Sequence, residues 1–247
     1  MVSPEASVII AAAGAGRRFA DAAGRLRPDA GEPQGKAFAL LAGRPILVHT
    51  LDRFAAVRAV TEIVVAVAPD KVDWAKQTFG DCLGGAKRLA FVAGGSDRTA
   101  SVAEALAATD PGTELVAIHD AVRPLIRPAV IEEALRVAVE HGAAVVGQPV
   151  DHTVKAVAAD WHVTGTVPRQ ALWLAQTPQV FRREVIMQAY QRREDLVGTV
   201  TDDAQLVEAL GQAVVMVLGD AANIKITTPG DLRMCEALLA AGWPFDG

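Results

Sequence analysis

The sequence lacks several features that mark specialised classes of protein. Two cysteines, Cys82 and Cys235, among 247 residues exclude a disulfide framework and a Cys-x-x-Cys metal site. A net charge of −5 argues against a protein whose main task is to bind nucleic acid or an anionic membrane. No apolar run approaches the ~18 residues that a membrane-spanning helix needs. The N-terminal residues lack the basic segment of a secretory signal, so we expect a cytoplasmic protein.

What the sequence has is a regular alternation of β-rich and helical segments. Six apolar runs are typical of buried strands: 7–11, 62–68, 88–92, 115–118, 143–147 and 214–218. Amphipathic or capped segments predict helices over 46–57, 128–141, 201–210 and from Thr228 to Gly242. Because such apolar strands are covered by helices on both faces, the pattern predicts an α/β protein with a doubly wound, mostly parallel sheet. We expect residues 1–247 to form a single domain.

Two segments interrupt the alternation. Residues 151–157 and 162–167 are extended stretches around a short turn, which predicts a projecting β-hairpin arm at about residues 148–170. Residues 20–35 contain glycine, proline and charges but few large apolar side chains, so they predict a long loop.

The ligand site of such a sheet lies at the carboxyl ends of its strands, so the residues after each strand are informative. The first strand leads into small residues closed by two cations: Ala12, Ala13, Gly14, Gly16, Arg17 and Arg18. Small residues let the backbone approach a ligand, and successive N–H groups can bind phosphate oxygens. The segment lacks the third glycine of the dinucleotide fingerprint and the Gly-Lys-Ser/Thr of the Walker loop. A tight turn with solvated arginines is the alternative.

Two other strands are followed by polar motifs. Gly94 and Gly95, with Ser101 shortly after, could enclose a base or ribose, or form an ordinary turn with a helix cap. Asp120 at a strand end, beside Arg123, suits a divalent metal that carries phosphates. An Asp–Arg ion pair is the alternative.

Two lysines are candidate site residues because of the segments around them. Lys36 follows the predicted loop and, taken alone, could be a surface lysine. Lys225 lies between apolar neighbours on a predicted short strand, 223–227. A half-buried lysine needs an anionic partner, although it could also extend from an edge strand into solvent.

Eight segments in order resemble one known family. They are AAAGAGRR, GKAF, ILVHTLDRF, GGSDRTASV, HDAVRP, TVPRQALWLAQTPQVF, TDDAQLVEALG and NIKITTPGDL. They are similar to the 2-C-methyl-D-erythritol 4-phosphate cytidylyltransferases of the non-mevalonate isoprenoid pathway. The resemblance implies a Rossmann-like nucleotidyltransferase that makes CDP-methylerythritol and diphosphate from CTP and methylerythritol phosphate. It also implies magnesium and a homodimer.

The resemblance also implies roles for individual residues. Nucleotide binding would fall to Ala12, Ala13, Gly14, Gly16, Gly94, Gly95 and Ser101. Catalytic cations would be Arg18, Lys36, Arg169 and Lys225. Substrate binding would fall to Asp120, Arg123, Thr153 and Arg169, and Asp120 would also face magnesium. Thr153 and Arg169 lie on the arm, which in this family reaches the partner's site.

Some residues depart from the family pattern. Gly35 stands where the family has proline, and the stretch between Arg18 and Lys36 is long, which predicts that the local chain does not fix Lys36. Ala222 stands where the family often has an acid, and Asp220 lies two residues upstream.

Two rival functions remain at this point. A pentitol-phosphate (ribitol 5-phosphate) cytidylyltransferase would differ mainly in residues 153–177. The sequence of this segment favours methylerythritol phosphate as the acceptor. A non-catalytic nucleotide-binding module would have no need of Lys36, Asp120 and Lys225 together.

Overall fold

A computed structural model describes residues 4–14, 35–195 and 200–243. Its strands are β1 (Ala6–Ala11), β2 (Leu40–Leu41), β3 (Arg44–Pro45), β4 (Val60–Val67), β5 (Arg88–Ala93), β6 (Leu115–Asp120), β7 (Ala143–Pro149), β8 (Val154–Val157), β9 (Val163–Val167), β10 (Trp173–Arg182) and β11 (Val215–Leu218). Its α-helices are α1 (Ile46–Ala55), α2 (Val72–Phe79), α3 (Arg98–Ala107), α4 (Pro128–His141), α5 (Arg183–Gln191), α6 (Ala204–Ala209) and α7 (Pro229–Ala240). The loop predicted over 20–35 lies outside the described residues apart from Gly35.

Seven strands form one sheet in the order β11-β7-β10-β6-β1-β4-β5. Strand β10 runs antiparallel to β6 and β7, and the other pairings are parallel. The six strands predicted from apolar runs are all present, and helices cover both faces. The predicted doubly wound, mostly parallel α/β fold is therefore confirmed.

The core consists of two layers, one on each face of the sheet. Side chains of β1 alternate between them, so Val8 and Ile10 belong to one layer and Ile9 to the other. The first layer packs against α1, α2, α4 and α7, and the second against α3, α5 and α6. Burial of these apolar side chains stabilises the sheet and fixes where its strands end. None of the helices in the described part of the chain combines the length and apolar character that a membrane crossing requires.

The predicted arm is present as a separate two-stranded sheet. Strands β8 and β9 pair antiparallel, with Val154 opposite Val167. The arm leaves the main sheet at the end of β7 and returns through β10, whose Trp173 pairs with Pro149. Both connections are therefore made to central strands of the main sheet.

The structure corrects one predicted strand and adds another. Residues 223–227 form no strand, and Ile226 N donates a single hydrogen bond to Val122 O at 2.9 Å. Strand β10 was not predicted, because Gln176, Thr177 and Pro178 interrupt its apolar pattern. Gln176 and Thr177 instead make hydrogen bonds, Gln176 to Asp220 O and Asn223 and Thr177 to Asp120 N and His119.

Candidate active site

A cavity of about 590 Å³ lies at the carboxyl ends of β1, β5 and β6. The predicted site residues in its wall are Ala12, Ala13, Gly14, Lys36, Gly95, Ser101, Asp120 and Lys225. The chain brings these residues together from five separate segments. Arg18 and Gly16 lie outside the described residues.

The glycine turn after β5 packs directly against the segment after β1. A Cβ atom on Gly94 would lie 2.6 Å from Ala13 Cβ and 2.8 Å from Ser101 Oγ. The Gly95 N–H donates to Ser101 Oγ at 3.1 Å, and the Asp97 side chain caps α3 by accepting from Ala100 N. The two segments therefore form one continuous backbone surface, which suits a flat ligand such as a base.

Asp120, at the end of β6, lies among three cations. Its Oδ2 is 2.7 Å from Lys225 Nζ and 3.8 Å from Arg123 Nε, and its Oδ1 is 3.2 Å from Arg98 Nε. The residue is 6% exposed, so the charges interact through little solvent. Burial alone would raise the pKa of Asp120, but the three cations outweigh it and hold that pKa well below its usual range. The carboxylate is therefore ionised at neutral pH.

A buried histidine fixes the backbone around Asp120. Thr177 Oγ1 accepts from Asp120 N at 3.1 Å and lies 3.0 Å from His119 Nδ1. His119 Nε2 lies 3.1 Å from Arg123 O. Burial lowers the pKa of His119 to about 3, so the ring is neutral. Because a carbonyl oxygen can only accept, the ring proton sits on Nε2 facing Arg123 O. Nδ1 of the neutral ring is then an acceptor, and the Thr177 hydroxyl donates to it.

Lys36 begins a short 3₁₀ turn, Lys36–Phe38, that is anchored by aromatic packing. The Phe38 ring packs edge-on against Trp74 at 4.9 Å and stacks on Phe79 at 5.8 Å. Gly35 enters the turn at φ 105°, a conformation that proline cannot adopt. The sequence predicted that the local chain does not fix Lys36. We attribute the position of Lys36 to the packing of Phe38 against Trp74 and Phe79.

A family model described as 2-C-methyl-D-erythritol 4-phosphate cytidylyltransferase matches residues 6–241. The chain belongs to this family. A protein of that name from Pelotomaculum thermopropionicum is 40% identical over 235 residues, covering 95% of this chain and 94% of the relative. Another, from Acidobacterium capsulatum, is 43% identical over 236 residues, covering 94% and 96%.

Solved structures agree with this assignment. The 2-C-methyl-D-erythritol 4-phosphate cytidylyltransferase from Thermus thermophilus superposes with a TM-score of 0.73 at 35% identity, covering 96% of this chain and 99% of that one. The 4-diphosphocytidyl-2C-methyl-D-erythritol synthase from Anaerococcus prevotii gives a TM-score of 0.78 at 30% identity, covering 96% and 99%. The predicted activity, cytidylyl transfer from CTP to methylerythritol phosphate, is confirmed by membership of the family.

Four predicted site residues of this cytidylyltransferase are described by the structure but do not line the cavity. Gly94 and Arg123 lie directly behind the wall, where Arg123 Nη1 donates to Asn223 O at 2.8 Å. Thr153 and Arg169 lie on the exposed arm, away from the cavity of their own chain.

The contacts of Asp220 stabilise the local backbone. Its Oδ1 accepts from Ala222 N at 2.8 Å, and its Oδ2 lies 3.3 Å from Arg127 Nε. It caps the turn before Asn223 and does not line the cavity of the described residues.

Arg98 is a site residue that sequence reasoning missed. It is the first residue of α3, lines the cavity and contacts Asp120. Its place in the GGSDRTASV motif is the one local signal, because its partners lie far away in the chain.

We expect Gly94→Ala to raise the KM for CTP of this cytidylyltransferase. The new methyl group would push the glycine turn off Ala13 and Ser101, and such overpacking costs about 1–3 kcal/mol. Steady-state kinetics with varied CTP would measure the change. Gly230→Ala is the control, since its Cβ meets only Thr228 Oγ1 at 3.4 Å, and an equal rise in both variants would contradict the prediction.

Proposed function

We propose that the cavity catalyses direct in-line attack of the methylerythritol phosphate oxygen on the α-phosphorus of CTP. The new O–P bond forms as the bond to the bridging oxygen breaks, and diphosphate leaves. The observation that carries this proposal is that Lys36, Asp120 and Lys225 share one cavity with the glycine turn. No covalent enzyme intermediate is needed.

The two halves of the cavity suit different parts of the reactants. The base fits against Gly95 and Ser101, and the triphosphate against the backbone of residues 12–14. The acceptor then lies toward Asp120 and Lys225, where hydroxyl groups can donate to a carboxylate and phosphate can meet ammonium.

Charge, rather than proton transfer, is the chemical problem. The attacking phosphate is already an anion at neutral pH, so the reaction needs no general base. Two anions must approach each other, so preorganised cations are the main contribution that the protein can make. Lys36 and Lys225 both line the cavity and supply charge there, and Arg18 is a third candidate from the sequence.

Magnesium fits this site as an ion that the nucleotide carries. Within the described ranges, no three His, Cys, Asp or Glu side chains gather to hold a metal. Both Asp120 oxygens already contact cations, so a divalent ion without phosphates would meet excess positive charge. Magnesium often takes one or two carboxylates plus substrate phosphates, and Asp120 can serve as that carboxylate. When bound, the ion neutralises charge on the triphosphate and on the departing diphosphate.

We expect Asp120→Asn to raise the magnesium concentration needed for half-maximal activity. The variant keeps the size of the side chain but removes its charge, so the ion loses an anionic ligand. A magnesium titration at saturating CTP would measure this. Calorimetry should also detect no magnesium binding to the unaltered protein without CTP. An unchanged titration in an active variant would leave Asp120 with the ion-pair role alone.

We also propose a homodimer in which the arm completes the partner's site. The arm exposes Val157, Val163 and Trp161, the last 87% exposed. A two-stranded hairpin is marginally stable alone, so apolar side chains at its surface favour a covering subunit. Arg169 and Thr153 lie outside their own cavity and would then contact acceptor in the other subunit.

The test is one assay of diphosphate release. The purified chain is mixed with magnesium, one of the four nucleoside triphosphates, and either methylerythritol phosphate or ribitol 5-phosphate. The proposal expects release with CTP and methylerythritol phosphate. Equal rates with all four nucleotides would contradict the base site. Faster release with ribitol 5-phosphate would favour the pentitol-phosphate reaction, and nucleotide binding without release would favour a non-catalytic module.

A further inference from the structure

A line of buried or partly buried polar side chains leads from the cavity into the protein. Asp120 Oδ1 contacts Arg98 Nε at 3.2 Å, and Arg98 Nη1 lies 2.8 Å from Asp203 Oδ2. Asp203 Oδ1 accepts from the Tyr190 hydroxyl at 2.6 Å. Asp203 is 1% exposed and is not part of the cavity wall, so it cannot touch a substrate there.

The protein holds Asp203 by its backbone as well as by its side chain. Gln179 of β10 accepts from the N–H groups of Asp203 and Ala204 at 2.9 Å each. The Gln179 amide nitrogen also donates to Asp202 at 2.9 Å. The TDDAQ motif thus serves to fix one carboxylate against Arg98, a role that the proposed reaction does not itself require.

Stability is a poor explanation for such an arrangement. Moving a guanidinium and a carboxylate out of water costs about as much as their attraction returns, and apolar replacements of buried pairs are often equally stable. The geometry instead constrains Arg98. The planar guanidinium of Arg98 has donors on several edges and can form two parallel hydrogen bonds to one carboxylate. With Asp203 holding Nη1, Arg98 meets Asp120 through Nε and leaves Oδ2 to Lys225.

We propose that Asp203 is a positioning residue that, through Arg98, sets the orientation of the Asp120 carboxylate in the substrate site. This inference rests on the proposed role of Asp120 toward substrate. Without the charge of Asp203, Arg98 turns fully onto Asp120, draws Oδ2 away from Lys225 and misplaces both groups.

A double-mutant cycle between Asp203→Asn and Asp120→Asn tests this coupling. We expect Asp203→Asn to lower kcat/KM for methylerythritol phosphate by about tenfold or more, yet by less than about twofold when Asp120 is already asparagine. At saturating magnesium, the KM for CTP should change less than kcat/KM for methylerythritol phosphate. Equal effects in both backgrounds, or no effect of Asp203→Asn in a folded protein, would overturn the inference.

Val207→Ala is the matched structural control. Val207 is fully buried on α6, the short helix that begins directly after Asp203, and lies outside the polar line, so its truncation loosens α6 without removing charge. It should lower Tm and leave kcat/KM within about twofold of the unaltered chain. If it reproduces the kinetic effect of Asp203→Asn, the inference fails.

A crystal structure of Asp203→Asn gives an answer that does not depend on turnover. The guanidinium of Arg98 should be found on both oxygens of Asp120, with Lys225 displaced. Unchanged Arg98 and Asp120 would refute the positioning role. Turnover by the unaltered chain tests the proposed function separately, so the two ideas can fail independently.

Discussion

Replacing Lys36 by alanine should lower kcat by about 10²–10³, because one preorganised charge facing the reacting phosphoryl group is worth about 2.7–4 kcal/mol. Lys36 lines the cavity on a turn held by Phe38, so the fold fixes its position before the reactants bind. Its charge matters most when negative charge grows on the phosphoryl centre. Affinity for CTP, measured by calorimetry, should therefore change less than kcat.

Lys71→Ala is a suitable control for Lys36→Ala. Lys71 belongs to the nearby turn Pro69–Lys71, and its Nζ lies 5.9 Å from the centre of the Trp74 ring, outside the cavity wall. Its loss should leave kcat close to that of the unaltered chain. A pure KM effect of Lys36→Ala would show that Lys36 binds substrate but does not act in the chemical step.

Two inactive variants should restore activity when they share a dimer. Lys36→Ala and Arg169→Ala are unfolded and refolded together in equal amounts. If Arg169 acts in the partner's site, each mixed dimer has one site with both defects and one with neither. Random pairing makes half of the dimers mixed, so activity should return to about a quarter of that of the unaltered enzyme.

The control mixture pairs Lys36→Ala with Lys225→Ala. Both lysines line the cavity of one chain, so every site in a mixed dimer keeps one defect and activity should stay absent. Mass spectrometry of differently tagged chains would establish that mixed dimers formed. Recovery in neither mixture, with mixed dimers present, would place Arg169 in its own chain and refute the shared site.

The sequence predicted those parts of the site that follow from local chain order. Parallel strands end at one edge of a sheet, so the residues after β1, β5 and β6 had to meet there. Ala13, Gly95 and Asp120 do meet in one cavity. The capping box at Thr228 could also be predicted from the sequence, because its partner Asp231 lies within one helical turn.

Contacts between distant segments could not be predicted in the same way. Arg98 lies 105 residues before Asp203, and nothing near either residue specifies the other. Strand β10 was missed because a strand inserted antiparallel between β6 and β7 need not follow the apolar pattern of its parallel neighbours. Residues 223–227 show the reverse error, since an alternating pattern predicted a strand, but these residues pair with none of the described strands.

The neutral, buried His119 makes the free energy of unfolding depend on pH, and this residue lies next to the active site. An unfolded chain protonates this imidazole near its ordinary pKa of 6.5, whereas the folded chain resists protonation down to about 3. Between these limits the unfolded state binds more protons, so the free energy of unfolding falls by up to about 1.4 kcal/mol for each unit of acidification. Denaturant titrations at pH 7.5, 6.5 and 5.5 should show this loss below pH 6.5. The ring that orients Arg123 and Asp120 thereby also limits how acidic a medium the folded enzyme survives.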